Sequence, residues 1–259
     1  AAADRLRLSL GSRFTALGDR AQGLLLAVGG ASPYLSRLIV KNPDEALALF
    51  ALEPEAALES IIRGARAAGD APLPEEAMAS LRRAKAAVAL LTGLAEIGGV
   101  FDSLEAAAAL SDFADAAVDS SLRVALNAQA AKGFVRAGEA NCERVSGVAV
   151  IAMGKLGARE LNYSSDIDLI LLFDPESEAF ADADAARAVS VAAAKVMLRV
   201  MSERTAEGYV FRTDMRLRPD PGVTAAAISV RAAEAYYEAH GQNWERAAFI
   251  KARASAGDI

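Results

Sequence analysis

The sequence predicts an α+β fold, a small mixed sheet preceded by a helical bundle and followed by further helices. Three observations carry this. Residues 1 to about 140 read as successive helices between start and stop signals. Residues 148–153 and 167–173 are short apolar runs rich in Val, Ile, Leu and Phe, the length and composition of buried strands. Residues 209–217 alternate in polarity, as a third strand would.

In the helical part, Asn42-Pro43-Asp44-Glu45 is a helix start, with a capping Asn, Pro at the first position and acids in the first turn. Pro54 opens another helix that ends at Gly69 and Asp70. Pro74-Glu75-Glu76 starts a longer one, stopped after Ile97 by Gly98 and Gly99. Asp102 with Glu105 three residues on resembles a capping box. From there Leu110, Phe113, Ala117, Val118, Leu122, Ala125 and Leu126 recur at helical spacing and predict a core stripe. Residues 138–146 form the expected junction, dividing a helical segment (1–140) from a catalytic core (141–259). Beyond the second strand, residues 181–203 predict one long helix with Val189, Ala193, Val196, Met197 and Val200 inward. Residues 229–240, capped by Ser229, and residues 243–254 predict two more, with no evident closing element after them. On the last, Trp244, Ala248 and Lys251 share a face, and Glu245 and Arg246 read as a surface pair.

Composition narrows the function. The chain has 259 residues, 53% of them hydrophobic, with a net charge of −6 and a mean hydropathy of +0.21. No lysine- or arginine-rich block is present, which disfavours nucleic acid as the main partner. No apolar run reaches the eighteen or so residues of a membrane helix, and the N-terminus lacks a signal-peptide plan. The single cysteine, Cys142, excludes an internal disulfide and fits a reducing cytoplasm. With one histidine, His240, expected at a helix end, zinc chemistry has few ligands to draw on.

The chemistry concentrates in residues 147–173. Gly154 and Gly157 end the first strand, and a polar loop with Ser164 and Ser165 leads to Asp166 and Asp168 at the start of the second. Residues i and i+2 of a strand project from one face. Two carboxylates there repel each other and resist desolvation, and a divalent cation such as magnesium removes both problems. Gly154 lets backbone N–H groups approach a phosphate, and Lys155 adds a cation; no Walker A pattern is present. A glycine turn after one strand and Asp-x-Asp opening the next is the layout of a nucleotidyl-transfer site. On residues 209–217, Arg212, Asp214, Arg216 and Arg218 share a face with Val210. Spacing leaves two readings of that face: a solvated ladder in which Asp214 pairs with arginines, or a third metal carboxylate flanked by phosphate-binding arginines. Ser164 and Ser165 could equally shape the loop, and Tyr163 reads as packing.

Residues 153–170, Met-Gly-Lys-Leu-Gly-Ala-Arg-Glu-Leu-Asn-Tyr-Ser-Ser-Asp-Ile-Asp-Leu-Ile, resemble the signature of the glutamine synthetase adenylyltransferases, bifunctional enzymes that also remove the adenylyl group. Residues 211–219 resemble that family too, as do Tyr236-Tyr237-Glu238, Asn243-Trp244-Glu245-Arg246 and Lys251-Ala252-Arg253 in the same order. The resemblance implies a polymerase-beta-like nucleotidyltransferase fold in which Asp214 joins Asp166 and Asp168 as catalytic and metal-binding acids around magnesium. It implies that Gly154, Lys155, Ser165, Arg216, Arg218 and Lys251 serve phosphate or nucleotide, and that Glu245 and Arg246 lie near the active site. The implied substrate is AMP-modified glutamine synthetase, with phosphate consumed and ADP released. The implied regulators are a PII-type signalling protein and glutamine. The family's proteins are longer and hold two catalytic halves. The helical segment before the site and the run Glu160-Leu161-Asn162-Tyr163 resemble the N-terminal, adenylyl-removing half. The alternatives are transfer of AMP from ATP at the same kind of site, and a non-catalytic regulatory domain, against which the presence of all three acids argues.

Overall fold

Proline and acid signals set the helix starts in the computed structural model, which describes residues 2–131 and 146–258. Eight helices come first: α1 (Ala2–Leu10), α2 (Ser12–Thr15), α3 (Asp19–Ala31), α4 (Pro33–Lys41), α5 (Pro43–Ala48), α6 (Pro54–Ala67), α7 (Pro74–Ile97) and α8 (Ser103–Ala130). Pro stands at the start of α4, α5, α6 and α7, where its missing N–H costs no hydrogen bond. The capping box at Asp102 is formed. Its carboxylate accepts from the N–H groups of Leu104 and Glu105, while Glu105 accepts from the N–H of Asp102. Asn42 departs from expectation, since its side chain accepts no cap hydrogen bond, and Pro43 with the first-turn acids Asp44 and Glu45 marks that start. The expected junction at 138–146, and Cys142 with it, lies outside the described residues except for Ser146.

The second part is β1 (Val148–Met153), a one-turn helix α9 (Gly154–Gly157), β2 (Ile167–Phe173), α10 (Ala183–Ser202), β3 (Thr213–Asp214), β4 (Ala227–Ser229), α11 (Val230–Ala239), α12 (Asn243–Ala248) and β5 (Arg253–Gly257). The sheet runs β3-β2-β1-β5, with β4 also pairing β2. β1 is antiparallel to β2 and to β5, while β3 and β4 lie parallel to β2. On one edge of β2, therefore, β3 covers Ile167 and Asp168 and β4 covers residues 171–173. The chain is a mixed α+β structure, as expected.

Alternation sorts the faces of β2. Ile167, Leu169 and Leu171 are fully buried and join Phe113, Leu122 and Leu126 of α8 and Met197 and Val200 of α10 in one core. The whole predicted stripe of α8 is buried. A second core, with Leu6, Leu10, Phe14, Leu25, Ile39 and Leu94, holds the N-terminal helices together. Arg82, 2% exposed, closes the back of the site module: from α7 it donates to the carbonyls of Met78, Val200, Glu203 and Gly208. No helix among the described residues is long and apolar enough to cross a membrane.

Two elements differ from expectation. The strand read over residues 209–217 shrinks to Thr213–Asp214. Before it, the N–H groups of Val210 and Phe211 both donate to the carbonyl of Met201, so both side chains are buried where alternation would separate them. After it, the Asp214 carboxylate accepts from the N–H of Arg216 and turns the chain away from the sheet. The helix read over residues 243–254 stops at Ala248, passes through a 3₁₀ turn at Phe249–Lys251, and gives way to β5, the closing strand the sequence did not announce. Ala254, Ser255, Ala256 and Gly257 carry no hydrophobic alternation, and the free edge of β1 recruits them.

Candidate active site

Each acid owes its place to a different element. Asp168 lies in β2, where the register sets it opposite Met153 of β1 on one side and Asp214 of β3 on the other. Asp166 stands just before β2, held there because the N–H of Ile167 donates to the carbonyl of Arg212 at 2.9 Å. All three acids thus gather at the start of β2.

Gly154 abuts them. Its φ of 56° is left-handed, and a Cβ there would stand 2.6 Å from Oδ2 of Asp168. Gly157, at the other end of α9, is closed in by backbone: a Cβ would meet the carbonyl oxygen of Lys251 at 1.9 Å and that of Ala152 at 2.7 Å. The loop expected at 154–157 is this single helical turn. Arg253 anchors it from below, donating to the carbonyl of Leu156 at 3.1 Å and to Asp115 of α8 at 3.0 Å. Ser255 also donates to Asp115 at 2.6 Å.

The electrostatics are uneven. Burial, then the charges of Asp214 and Asp166, raise the Asp168 carboxyl above its ordinary range. Asp214 moves down, because Arg216 donates from Nε and Nη2 to both of its carboxylate oxygens. That is the ion pair the plainer sequence reading expected. Asp166 is gripped by Arg212, which also donates to the hydroxyl of Tyr209 at 2.9 Å and the carbonyl of Ser164 at 2.8 Å.

The remaining expected contacts divide. Lys155 is exposed on α9 and makes no ion pair among the described residues. Ser165 serves its loop: its hydroxyl donates to Oδ1 of Asn162 at 2.8 Å and accepts from the Asn162 N–H at 3.2 Å. Arg218 is not turned toward the acids. Its guanidinium donates to the carbonyls of Met215, Pro221, Thr224 and Ala225, which makes it the staple of the 215–225 loop. Lys251 pairs with Glu160 at 2.7 Å, away from the acids' own contacts. Glu245 overturns the surface-pair reading. It is 5% exposed, accepts from the N–H of Gln242 and receives the hydroxyl of Tyr236. Arg246 instead donates to the carbonyl of Tyr237. His240 caps the end of α11 as expected. Tyr163, read as packing, is instead 40% exposed and donates to Glu96 at 2.9 Å; loss of hydration around its hydroxyl pushes it up to about 12.

Sequence reasoning missed Arg212 as the partner of Asp166 and Arg253 as the anchor of α9. The charge ladder at 212–218 signalled the first; only the fold, by bringing α8 beneath β5, reveals the second.

A cleft of about 600 Å³ opens over the sheet farther along β2, and none of the three acids lines it. Ile151, Ile170 and Leu172 floor it, and Tyr237 and Phe249, edge-to-face at 4.9 Å, wall it. Ile170 and Leu172 share the strand face of Asp168 by alternation. Three carboxylates without thiolate or imidazole make a donor set suited to a hard divalent cation. Among the described residues no three His, Cys, Asp or Glu side chains are grouped to hold a metal ion as they stand, two of these acids being engaged by arginine.

The comparisons with known proteins agree with this arrangement of motifs. The family model described as glutamate-ammonia ligase adenylyltransferase matches residues 22–259, and the chain belongs to that family. Among its relatives, the bifunctional glutamine synthetase adenylyltransferase/adenylyl-removing enzyme of Xanthobacter autotrophicus is 44% identical over 92% of this chain and 24% of its own length. The protein of the same name from Rhizobium meliloti is 46% identical over 91% of this chain and 24% of its own. That from Caulobacter vibrioides is 42% identical over 93% and 24%. The chain therefore spans about a quarter of the length of the curated relatives it matches.

Proposed function

We propose that this chain carries an adenylyl-removing site, which cleaves AMP from a tyrosine of glutamine synthetase by phosphorolysis. The observation that supports it most is the pairing of Asp168 with Asp214 across β2 and β3, with Asp166 two residues before and Gly154 against Asp168. In this reading Asp166, Asp168 and Asp214 would hold magnesium, within a polymerase-beta-like nucleotidyltransferase fold. The bound ion would neutralise charge on the phosphodiester and on the departing tyrosinate. Inorganic phosphate attacks the phosphorus, the bond from phosphorus to the tyrosyl oxygen breaks, the tyrosine hydroxyl is restored and ADP leaves.

The chain's own groups have defined tasks. Gly154 keeps space beside Asp168 that any side chain would fill. Lys155, exposed and without an ion-pair partner among the described residues, meets phosphate oxygens at the head of α9. Arg212 and Arg216 act as counter-charges for Asp166 and Asp214 and place positive charge where the incoming phosphate would enter. The cleft floored by Ile151 and Ile170 shields the nucleoside. Ser165 and Arg218 contribute by shaping their loops, and Lys251 by holding Glu160. No general base is needed, because phosphate near neutral pH is already anionic.

Removal is preferred to transfer because the helical segment before the site and the Glu160–Tyr163 run resemble the removing half of the family. A PII-type protein and glutamine are the regulators that the same resemblance implies. The test is to incubate the chain with AMP-modified glutamine synthetase, magnesium and phosphate, and to measure ADP. Loss of ADP on chelation and in Asp166→Asn supports the reading. Labelling of unmodified synthetase from ATP, without ADP from phosphate, would replace it with transfer. If Asp166→Asn retained full ADP formation, the acids would have no catalytic part.

A further inference from the structure

Behind the acids, between the helical part and the Asp166 loop, lies a second cavity of about 600 Å³. Tyr34 and Leu35 of α4, Lys85 and Glu96 of α7, and Tyr209 and Phe211 of the strand-free segment contribute to it. Lys85 is its unusual member. Its ammonium sits over the Phe211 ring, 4.0 Å from the centroid, with Phe113 further off at 5.9 Å. No carboxylate pairs with it among the described residues. Ring faces recover only part of the hydration that an enclosed ammonium loses.

The other charges of the cavity are already committed. The Arg82 guanidinium is spent on backbone carbonyls, Arg212 holds Asp166, and Glu96 accepts from Tyr163 and Ser103. Glu207 is the remaining acid of the lining. With Lys85, Arg82 and Arg212 against Glu96 and Glu207, the lining carries one net positive charge. The space is too large for a lone inorganic ion. Its walls of Tyr34, Tyr163, Tyr209 and Phe211 suit the face of a ring.

We propose that this cavity is a binding site for a small organic anion with a flat, largely apolar body, its charge paired with the Lys85 ammonium and its ring among Tyr34, Tyr209 and Phe211. None of the three acids lines this cavity. It does share a wall with them: Arg212 and Ser165 belong to the lining, and they are respectively the partner and the neighbour of Asp166.

The test uses benzoate as the flat probe and inorganic phosphate as the comparison, with ligand-observed NMR on the whole chain. Benzoate is expected to bind at millimolar concentration and phosphate at least tenfold more weakly. Lys85→Met, close in length but uncharged, is expected to weaken benzoate at least tenfold, while Lys195→Met, an exposed lysine of α10, leaves it unchanged. Should Lys85→Met fail to fold, Lys85→Gln serves the same comparison. No benzoate binding to the parent chain, equal binding to the Lys85 variant, or phosphate binding as tightly as benzoate would each overturn the proposal.

Discussion

Asp168 and Asp214 stand opposite one another in the parallel pairing of β2 with β3, and the protein pushes their carboxyls in opposite directions. Asp168 is half-buried beside two other acids, whereas Asp214 is forked by Arg216. One backbone register thus makes a strained carboxylate and a satisfied one. This inequality gives the site separable consequences for stability and for activity.

Asp168→Asn is expected to abolish ADP formation, by about 100-fold or more, while raising the melting temperature by about 1–3 °C at neutral pH. The sign follows from linkage. The Asp168 carboxyl is raised in the folded state, so folding favours its protonated form. Its cost to stability grows as pH rises through the ordinary value toward the raised one, and persists above it. A neutral amide removes that cost. A melt of the variant below the parent at pH 7 would show that neighbouring groups already compensate the charge.

Arg216→Gln is expected to release the Asp214 carboxyl upward toward the ordinary range, since the bond from Arg216 is the main cause of its depression. In the parent, the depressed carboxyl contributes stability above the ordinary value of 3.8, lost as pH falls through the folded value. The variant should lack that contribution, so it is less stable than the parent above the ordinary value, and the difference closes as pH falls through the parent's folded value. Carboxyl-carbon NMR of Asp214 across pH 2–6, as an order-of-magnitude window of about four units around the usual carboxylate value, reads the shift directly.

Gly157→Ala is expected to destabilise the chain by about 2–4 kcal/mol, because a Cβ 1.9 Å from the carbonyl oxygen of Lys251 forces backbone apart. Thermal melts report it. Gly154→Ala should act differently. Its conflict is with the side chain of Asp168, so activity falls further than stability does.

Lys85→Met is expected to stabilise the protein at pH 7 by about 1–3 kcal/mol. Burial lowers the folded Lys85 from 10.5 to about 8. The unfolded chain therefore binds more protons between about 8 and 10.5, and parental stability rises with pH across that window. The advantage of the variant should shrink as pH rises and vanish above about 10.5. An advantage independent of pH would assign the effect to packing alone.

Residues 147–173 are legible in the linear chain. Apolar runs of six and seven residues set β1 and β2 in their observed places. The Asp-x-Asp spacing put two carboxylates on one face, and proline, glycine and acid signals placed α5 to α8. These are local effects, written within a few neighbouring residues, so a linear reading recovers them.

Tertiary structure decided what depends on remote partners. β5 exists because the edge of β1 needs hydrogen bonds, not because 253–257 reads as a strand. Arg218 looked equivalent to Arg216, yet one guanidinium meets four backbone carbonyls and the other meets a carboxylate. Glu245 read as a surface charge until Tyr236 and the Gln242 N–H enclosed it. Lys85 carried no signal at all in an alanine-rich helix, because an ammonium becomes unusual only when the fold closes aromatic rings over it. The sequence determined which chemical groups the chain carries and where its local elements begin. Which of those charges are free to meet a ligand, and which are spent on the protein itself, was settled by contacts between residues tens of positions apart.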